Sequence, residues 1–452
     1  MENTKNFTEG KIFSPLMGFA LPVLLALFLQ TMYGAVDMLI VGQFGNAASV
    51  SAVSTGSWMM QVITSAIVGL AMGTTILLGQ KIGEGRLSDA GRVVGASICM
   101  FIVIGIAVTV LMQLLAVPFG KVMQTPLEAF DDTILYVRIC SAGSVFIIAY
   151  NVLGSIFRGM GNSKMPLITV AIACVVNIAG DLLLVGGFHL GAAGAAIATV
   201  FAQAVSVLLS FVIIRKQKFP FEFGKEYIKF HKGYVPAVLR LGFPIALQDV
   251  LVSASFLAIT AIINTLGVIA SAGVGVAEKI CGFVLLIPSA CSQAMSAFVA
   301  QNTGAGKPAR ARRALLYGIL VSLGLGVFLA YFSFFHGDIL SGMFAKDEAV
   351  ILASAEYLKA YALDCLLVSF AFCFTGYFNG CGKTTFVMIQ GIAGAFCVRI
   401  PVSYLMSLIK PVSLFKVGLA IPLSTAFQII LCVGYFALIG KKERQRISSS
   451  GK

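Results

Sequence analysis

Apolar residues fall in twelve long runs separated by short polar breaks. They predict helices at roughly 17–41, 51–79, 93–117, 133–157, 165–186, 191–214, 241–264, 271–300, 314–335, 353–377, 386–409 and 417–439. Each run is long enough to cross a hydrocarbon core of ~30 Å, which takes about 20 helical residues. The residues before the first run are few and polar. That run is long, holds Pro22 and shows no cleavage signature, so it reads as a spanning helix and not as a removed signal peptide. The expected fold is all-α and polytopic.

The runs repeat. Pro22 pairs with Pro244, Gly45 with Gly267 and Ala48 with Ala270 at an offset of 222. After a one-residue slip, Gln80-Lys81-Ile82-Gly83-Glu84-Gly85-Arg86 pairs with Gln301-Asn302-Thr303-Gly304-Ala305-Gly306-Lys307. Phe157-Arg158-Gly159-Met160-Gly161 pairs with Phe378-Asn379-Gly380-Cys381-Gly382 at the same offset of 221. Shared hydropathy alone would not keep glutamine and glycine in step. The pattern therefore divides the chain into a six-helix lobe at 14–214, a connector at 215–240 and a second six-helix lobe at 241–440. Six spans per unit is an even number, so both units insert in one orientation, related by a pseudo-two-fold axis along the membrane normal.

Composition agrees with this class. Hydrophobic residues make up 58% of the chain and charged residues 11%, against about half and a quarter in soluble domains. The 47 glycines suit close helix contact. The ten cysteines show no CxxC spacing and lie mostly in apolar runs, so neither disulfides nor zinc are expected. The net charge of +13 does not call for nucleic acid. Of the 32 Lys and Arg, 24 fall at the two termini and in the even-numbered breaks, four (Lys121, Lys346, Lys410, Lys416) in the odd-numbered breaks, and four (Arg138, Lys279, Lys359, Arg399) in the runs. By the positive-inside rule both termini are expected in the cytoplasm, and anionic lipid is a second use for the basic side.

The candidate chemistry lies in acids within the runs. A carboxylate in hydrocarbon is costly and marks an ion or substrate path. Asp37 lies late in helix 1. Asp181 lies in helix 5 with Asn177 one turn before it, so both share a face. Thr199 follows a small-residue stretch, Gly194-Ala195-Ala196-Ile197-Ala198, in helix 6. Two carboxylates, an amide and a hydroxyl form an oxygen cage for Na⁺ and equally a store for H⁺, since a carboxylate out of water favours its neutral form. The bland alternative has Asp181 bonding a neighbouring helix and Asp37 reaching the interface. Asp249, Glu278 beside Lys279, and Asp364 are assigned to a structural or gating network, with a direct substrate role as the alternative and Lys279 able to neutralise one of the acids. Pro22 is a candidate hinge, because it removes a backbone donor and crowds the preceding turn.

Other motifs fail. Gly380-Cys381-Gly382-Lys383-Thr384-Thr385 looks like a phosphate loop, but Gly376 precedes Gly382 by five intervening residues, not four, and no strand leads into it. An aspartyl protease would need the two acids to share a proton, and Ile178-Ala179-Gly180-Asp181 lacks the first glycine of GxGD. There is no HExxH and no GxSxG elbow. No enzyme activity and no cofactor are expected.

Leu21-Pro22 and Val36-Asp37 in helix 1, Asn177 with Asp181 in helix 5, Gly194 to Thr199 in helix 6 and Arg399-Ile400-Pro401 in helix 11 together resemble the multidrug and toxic compound extrusion (MATE) family. The resemblance covers about residues 10–440. It implies two bundles, alternating access, and export of organic cations driven by Na⁺ or H⁺ across the bacterial inner membrane, by a monomer. The DinF-like branch implies Asp37, Asn177, Asp181 and Thr199 as the ion site. The NorM-like branch implies a glutamate in helix 7 where this chain has Val252. The rival within the same superfamily is a lipid-linked saccharide flippase, which would need a strongly cationic cavity. The four bases within the runs are scattered.

Overall fold

The computed structural model describes residues 7–216, 219–221 and 223–450. Lys5, Lys218 and Lys452, counted in the charge bias, and part of the connector lie outside the described residues. Among the described residues, eleven helices are long and apolar enough to cross a membrane: α1 (Phe13–Phe44), α2 (Ala47–Gly83), α3 (Leu87–Val122), α5 (Lys164–Gly187), α6 (Gly191–Ile214), α7 (Tyr234–Asn264), α8 (Val268–Gly304), α9 (Pro308–Phe335), α10 (Glu348–Gly380), α11 (Thr384–Leu408) and α12 (Leu414–Lys441). The remaining span, α4, is a pair, Leu127–Ala142 and Ser144–Gly159, bent by 53° at Gly143. With that pair joined, the twelve predicted spans are all present. Many overrun their apolar stretch at one or both ends, because the flanking polar residues continue the helix.

The repeat is visible in the turns. Gly85 and Gly306 both take positive φ, +72° and +66°, a region open to glycine without a Cβ penalty. Around them Arg86 N–H donates to the Lys81 carbonyl and Lys307 N–H to the Asn302 carbonyl. Each closes its helix with the six-residue bond of a Schellman turn. The turns ending α4 and α10 do the same, with Asn162 N–H to Phe157 and Lys383 N–H to Phe378. The phosphate-loop lookalike is therefore a helix-to-helix turn.

Two compact bodies result. The first holds the chain as far as Asp249, together with Ser296–Ala311 and Gly380–Gly382; the second holds Val250–Met295, Arg312–Asn379 and the chain from Lys383. In the first body an apolar cluster of Val41, Val53, Met60, Tyr136, Val137 and Val185 surrounds the later part of α1. A second cluster packs Val93, Phe101, Ile156 and Phe157 with Phe221 of the connector. In the second body Ile259, Ile263, Val274, Tyr357, Leu358 and Val417 form the core.

Candidate functional site

In the first body α1, α5 and α6 bring together all four oxygen-bearing residues expected there. Asp37 is 7% exposed, Asn177 1% and Asp181 0%, while Thr199 is half-buried. Asp37 lies close to Asp181, Asn177 and Thr199. Asn177 Nδ2 donates to Asp181 Oδ2 over a long 3.5 Å, the one-turn spacing having put both on one face of α5. Neither carboxylate has an ion-pair partner among the described residues. One oxygen on each residue, Asp37 Oδ1, Asn177 Oδ1, Asp181 Oδ1 and Thr199 Oγ1, is buried with no hydrogen-bond partner. Buried polar atoms are normally paired, and here four oxygens of one cluster are left without a partner.

Two features of this centre escaped the sequence. Gln203, one turn beyond Thr199, also buries an orphaned oxygen and reaches Tyr33, which is one turn before Asp37. The pairs Tyr33–Asp37 and Thr199–Gln203 thus lie on facing stripes of α1 and α6, and the four-residue spacing was the available signal. Directly after Asp181 the helix widens into a π-helical stretch, Leu182–Gly187, a distortion common at functional sites. It has no compositional signature.

The second body holds another buried polar centre. Asp364 on α10 is 3% exposed and Arg399 on α11 6%. Arg399 Nη1 donates to Ser255 Oγ on α7 at 3.3 Å, and the guanidinium carbon lies 4.4 Å from the centre of the Phe256 ring. Asp364 is within electrostatic reach of Arg399 and beside Thr425. Arg399 closes a second π-helical stretch, Gly394–Arg399. The base beside Asp364 is therefore Arg399 and not Lys279, since Glu278 and Lys279 are exposed on α8. Asp249 is half-buried in the first body; a Cβ on Gly69 would lie 3.1 Å from its carboxylate. Pro22 is half-buried inside α1, which runs as one helix through it.

The sequence profile of the MatE family matches the chain twice, over residues 22–183 and 244–405. The chain belongs to the MatE family. The two matches begin at Pro22 and Pro244, the pair that set the repeat, and together cover well over half of the sequence. MatE proteins are multi-pass membrane transporters, so this chain is a transporter and not an enzyme. Among its relatives is the probable multidrug resistance protein YoeA of Bacillus subtilis, 26% identical over 448 residues, which cover 98% of this chain and 97% of that protein. The multidrug export protein MepA of Staphylococcus saprophyticus is 23% identical over 89% of this chain and 88% of its own length. A crystal structure of MATE in complex with MaD3S superposes with a TM-score of 0.91, at 18% identity, over 98% of this chain and 99% of that one. This MatE chain therefore has the two-lobe fold of those transporters.

Proposed function

We propose that the protein is a cation-coupled antiporter that exports lipophilic organic cations by alternating access. Its cargo class follows the multidrug names of its relatives, and its bacterial relatives point to the inner membrane. The charge bias supports cytoplasmic termini. The observation that carries the coupling is the set of four orphaned oxygens on Asp37, Asn177, Asp181 and Thr199.

Two carboxylates in reach of each other, with no base, cannot both stay ionised in an apolar cluster. Loading one cation removes that repulsion, and its release restores it. The ion biases the two states of the transporter only through the difference between its affinities for them. Sodium fits the donor set better than a proton. One Na⁺ coordinates carboxylate, amide and hydroxyl oxygens together, whereas one proton adds a single O–H donor to a set of four oxygens. A saccharide flippase gains nothing from this acidic centre, and no relative named above carries that activity.

The test is ethidium efflux from proteoliposomes under an imposed Na⁺ gradient or an imposed pH gradient. Efflux driven by Na⁺ and lost in Asp37→Asn is the expected result. Efflux that proceeds at the wild-type rate in Asp37→Asn, under either gradient, refutes the coupling site.

A further inference from the structure

The first body contains a crossed clamp that neither the family nor the ion site accounts for. Gln80, at the end of α2, donates Nε2 to the Gly380 carbonyl at 3.2 Å. Gln301, at the end of α8, donates Nε2 to the Gly159 carbonyl at 3.0 Å. Gln80 and Gln301 are repeat equivalents, and so are Gly159 and Gly380. Each half of the chain thus gives a donor to a helix-end carbonyl of the other half, where such carbonyls lack an intrahelical partner. The backbones meet in the same crossed way. A Cβ on Gly83 would run into the Gln301 carbonyl, and one on Gly304 into the Gln80 carbonyl.

The lead-in segments cross as well. Before α1, the Phe7 ring is fully buried between Phe19 and Phe298, with centroids 5.4 and 5.1 Å away. The carbonyls that follow are taken by the α8–α9 corner. Asn302 Nδ2 and Arg310 Nη2 donate to Phe7 O, each at 3.1 Å. Lys307 Nζ donates to Thr8 O at 2.9 Å. Arg310 also donates to Glu9 O at 3.0 Å and Gly10 O at 2.8 Å. Before α7, Phe221 shares one apolar cluster with Ala90, Val93 and Val94 of α3, against which Tyr234, the first residue of α7, also packs, and the Tyr227 carbonyl fills the space a Cβ on Gly95 would need.

We infer that this crossed clamp is the latch of one gate of the transporter, with Gln80 and Gln301 as its two pins and Phe7–Gly10 as the strap that holds it shut. The inference rests on the transporter reading and names the contacts that must break in each cycle. The pins are neutral hydrogen bonds, each of modest net strength, so the seam can open. Helices α8 and α10 each pass from one body to the other at this seam, at Met295/Ser296 and Asn379/Gly380. A rearrangement of the second body must therefore either release the clamp or bend those helices beside it. The latch is the first case.

Two measurements separate the cases, in a background with the less buried cysteines Cys99, Cys381 and Cys397 replaced by serine. First, Ala300→Cys, at a fully buried seam position, is labelled with a maleimide on purified protein, where no transport is needed. Gln80→Met and Gln301→Met keep side-chain length and remove the donors. Each is expected to speed labelling roughly three- to ten-fold, the open population gained by losing one hydrogen bond, with the protein still monodisperse. Unchanged labelling in the double variant overturns the pins. Second, Thr8→Cys/Lys307→Cys is joined by a reducible bifunctional thiol reagent. Ethidium efflux is expected to stop on cross-linking and return on reduction. Full-rate efflux with the strap covalently fixed overturns the latch. Should the chain export no ethidium at all, the proposed cargo class fails while the labelling result still decides the clamp.

Discussion

The two halves of this chain share a repeat but bury opposite electrostatics. In the first half, Asp37 and Asp181 lie beside a π-helical stretch of α5 with no base among their partners. In the second, Asp364 lies near Arg399, which ends a π-helical stretch of α11. One centre holds two acids and no base; the other carries a cation on its own side chain, although Asp364 Oδ1 and Arg399 Nε there are also buried without a hydrogen-bond partner. On the proposed antiport, a duplicated scaffold would assign ion coupling to one half by giving the other a tethered positive charge. On that reading the first centre is neutralised by a cation that comes and goes, and the second by the resident Arg399.

The sharpest way to break this comparison is at Asp37. On the proposed coupling, Asp37→Asn removes one of two carboxylates that would face the ion. With buried partners worth about 3–5 kcal/mol, apparent Na⁺ affinity is expected to fall by roughly a hundred-fold or more, and dye efflux to the level of empty liposomes. Asp364→Asn should leave Na⁺ affinity, read by isothermal titration, within about three-fold of wild type, because Asp364 faces a resident base. Equal losses in the two variants would erase the distinction between the halves.

Next in size is the charge pair of the second half. Arg399→Met strands Asp364 in a buried site, and a destabilisation of about 3 kcal/mol is expected from unfolding in detergent. Adding Asp364→Asn to that variant should recover most of the loss, to within about 1 kcal/mol, since removing both partners leaves no stranded charge. A double variant no more stable than Arg399→Met would mean that the two side chains do not compensate each other.

Much of this was legible in the chain. Hydropathy is continuous over each span, so the spans were visible, and acids in such runs are few, so Asp37 and Asp181 stood out at once. The bend in α4 was not, because its apolar run continues across Gly143 without a break. The π-helical stretches were hidden for the same reason: a change of helical winding leaves composition untouched. Arg399 was visible as an intramembrane base, yet its partner lies on another helix 35 positions away, and Lys279, next to an acid in sequence, drew the assignment instead. Phe7 lies in the short leader that reads as polar; besides Phe19, its partners from Phe298 to Arg310 come some 300 positions later. Gln80 and Gln301 served as markers of the repeat, and only the fold shows each pointing at the other half.

The smallest predicted effect sharpens the comparison most finely, because it asks what each orphaned oxygen contributes. Thr199→Val keeps the shape of the side chain and removes one neutral ligand. A hydrogen bond or ion contact to a charged partner is worth about 1.5–3 kcal/mol, so Na⁺ affinity is expected to fall about ten-fold while coupled efflux persists at raised Na⁺. Gln203→Leu, which removes the fifth oxygen one turn away, should have a lesser effect, since Gln203 reaches Tyr33. If Thr199→Val left the Na⁺ dependence of efflux unchanged while Asp37→Asn abolished it, the ion would be held by the carboxylates alone. The donor-set argument for Na⁺ would then lose its footing, and a proton shared by the two acids would become the better account of the first half.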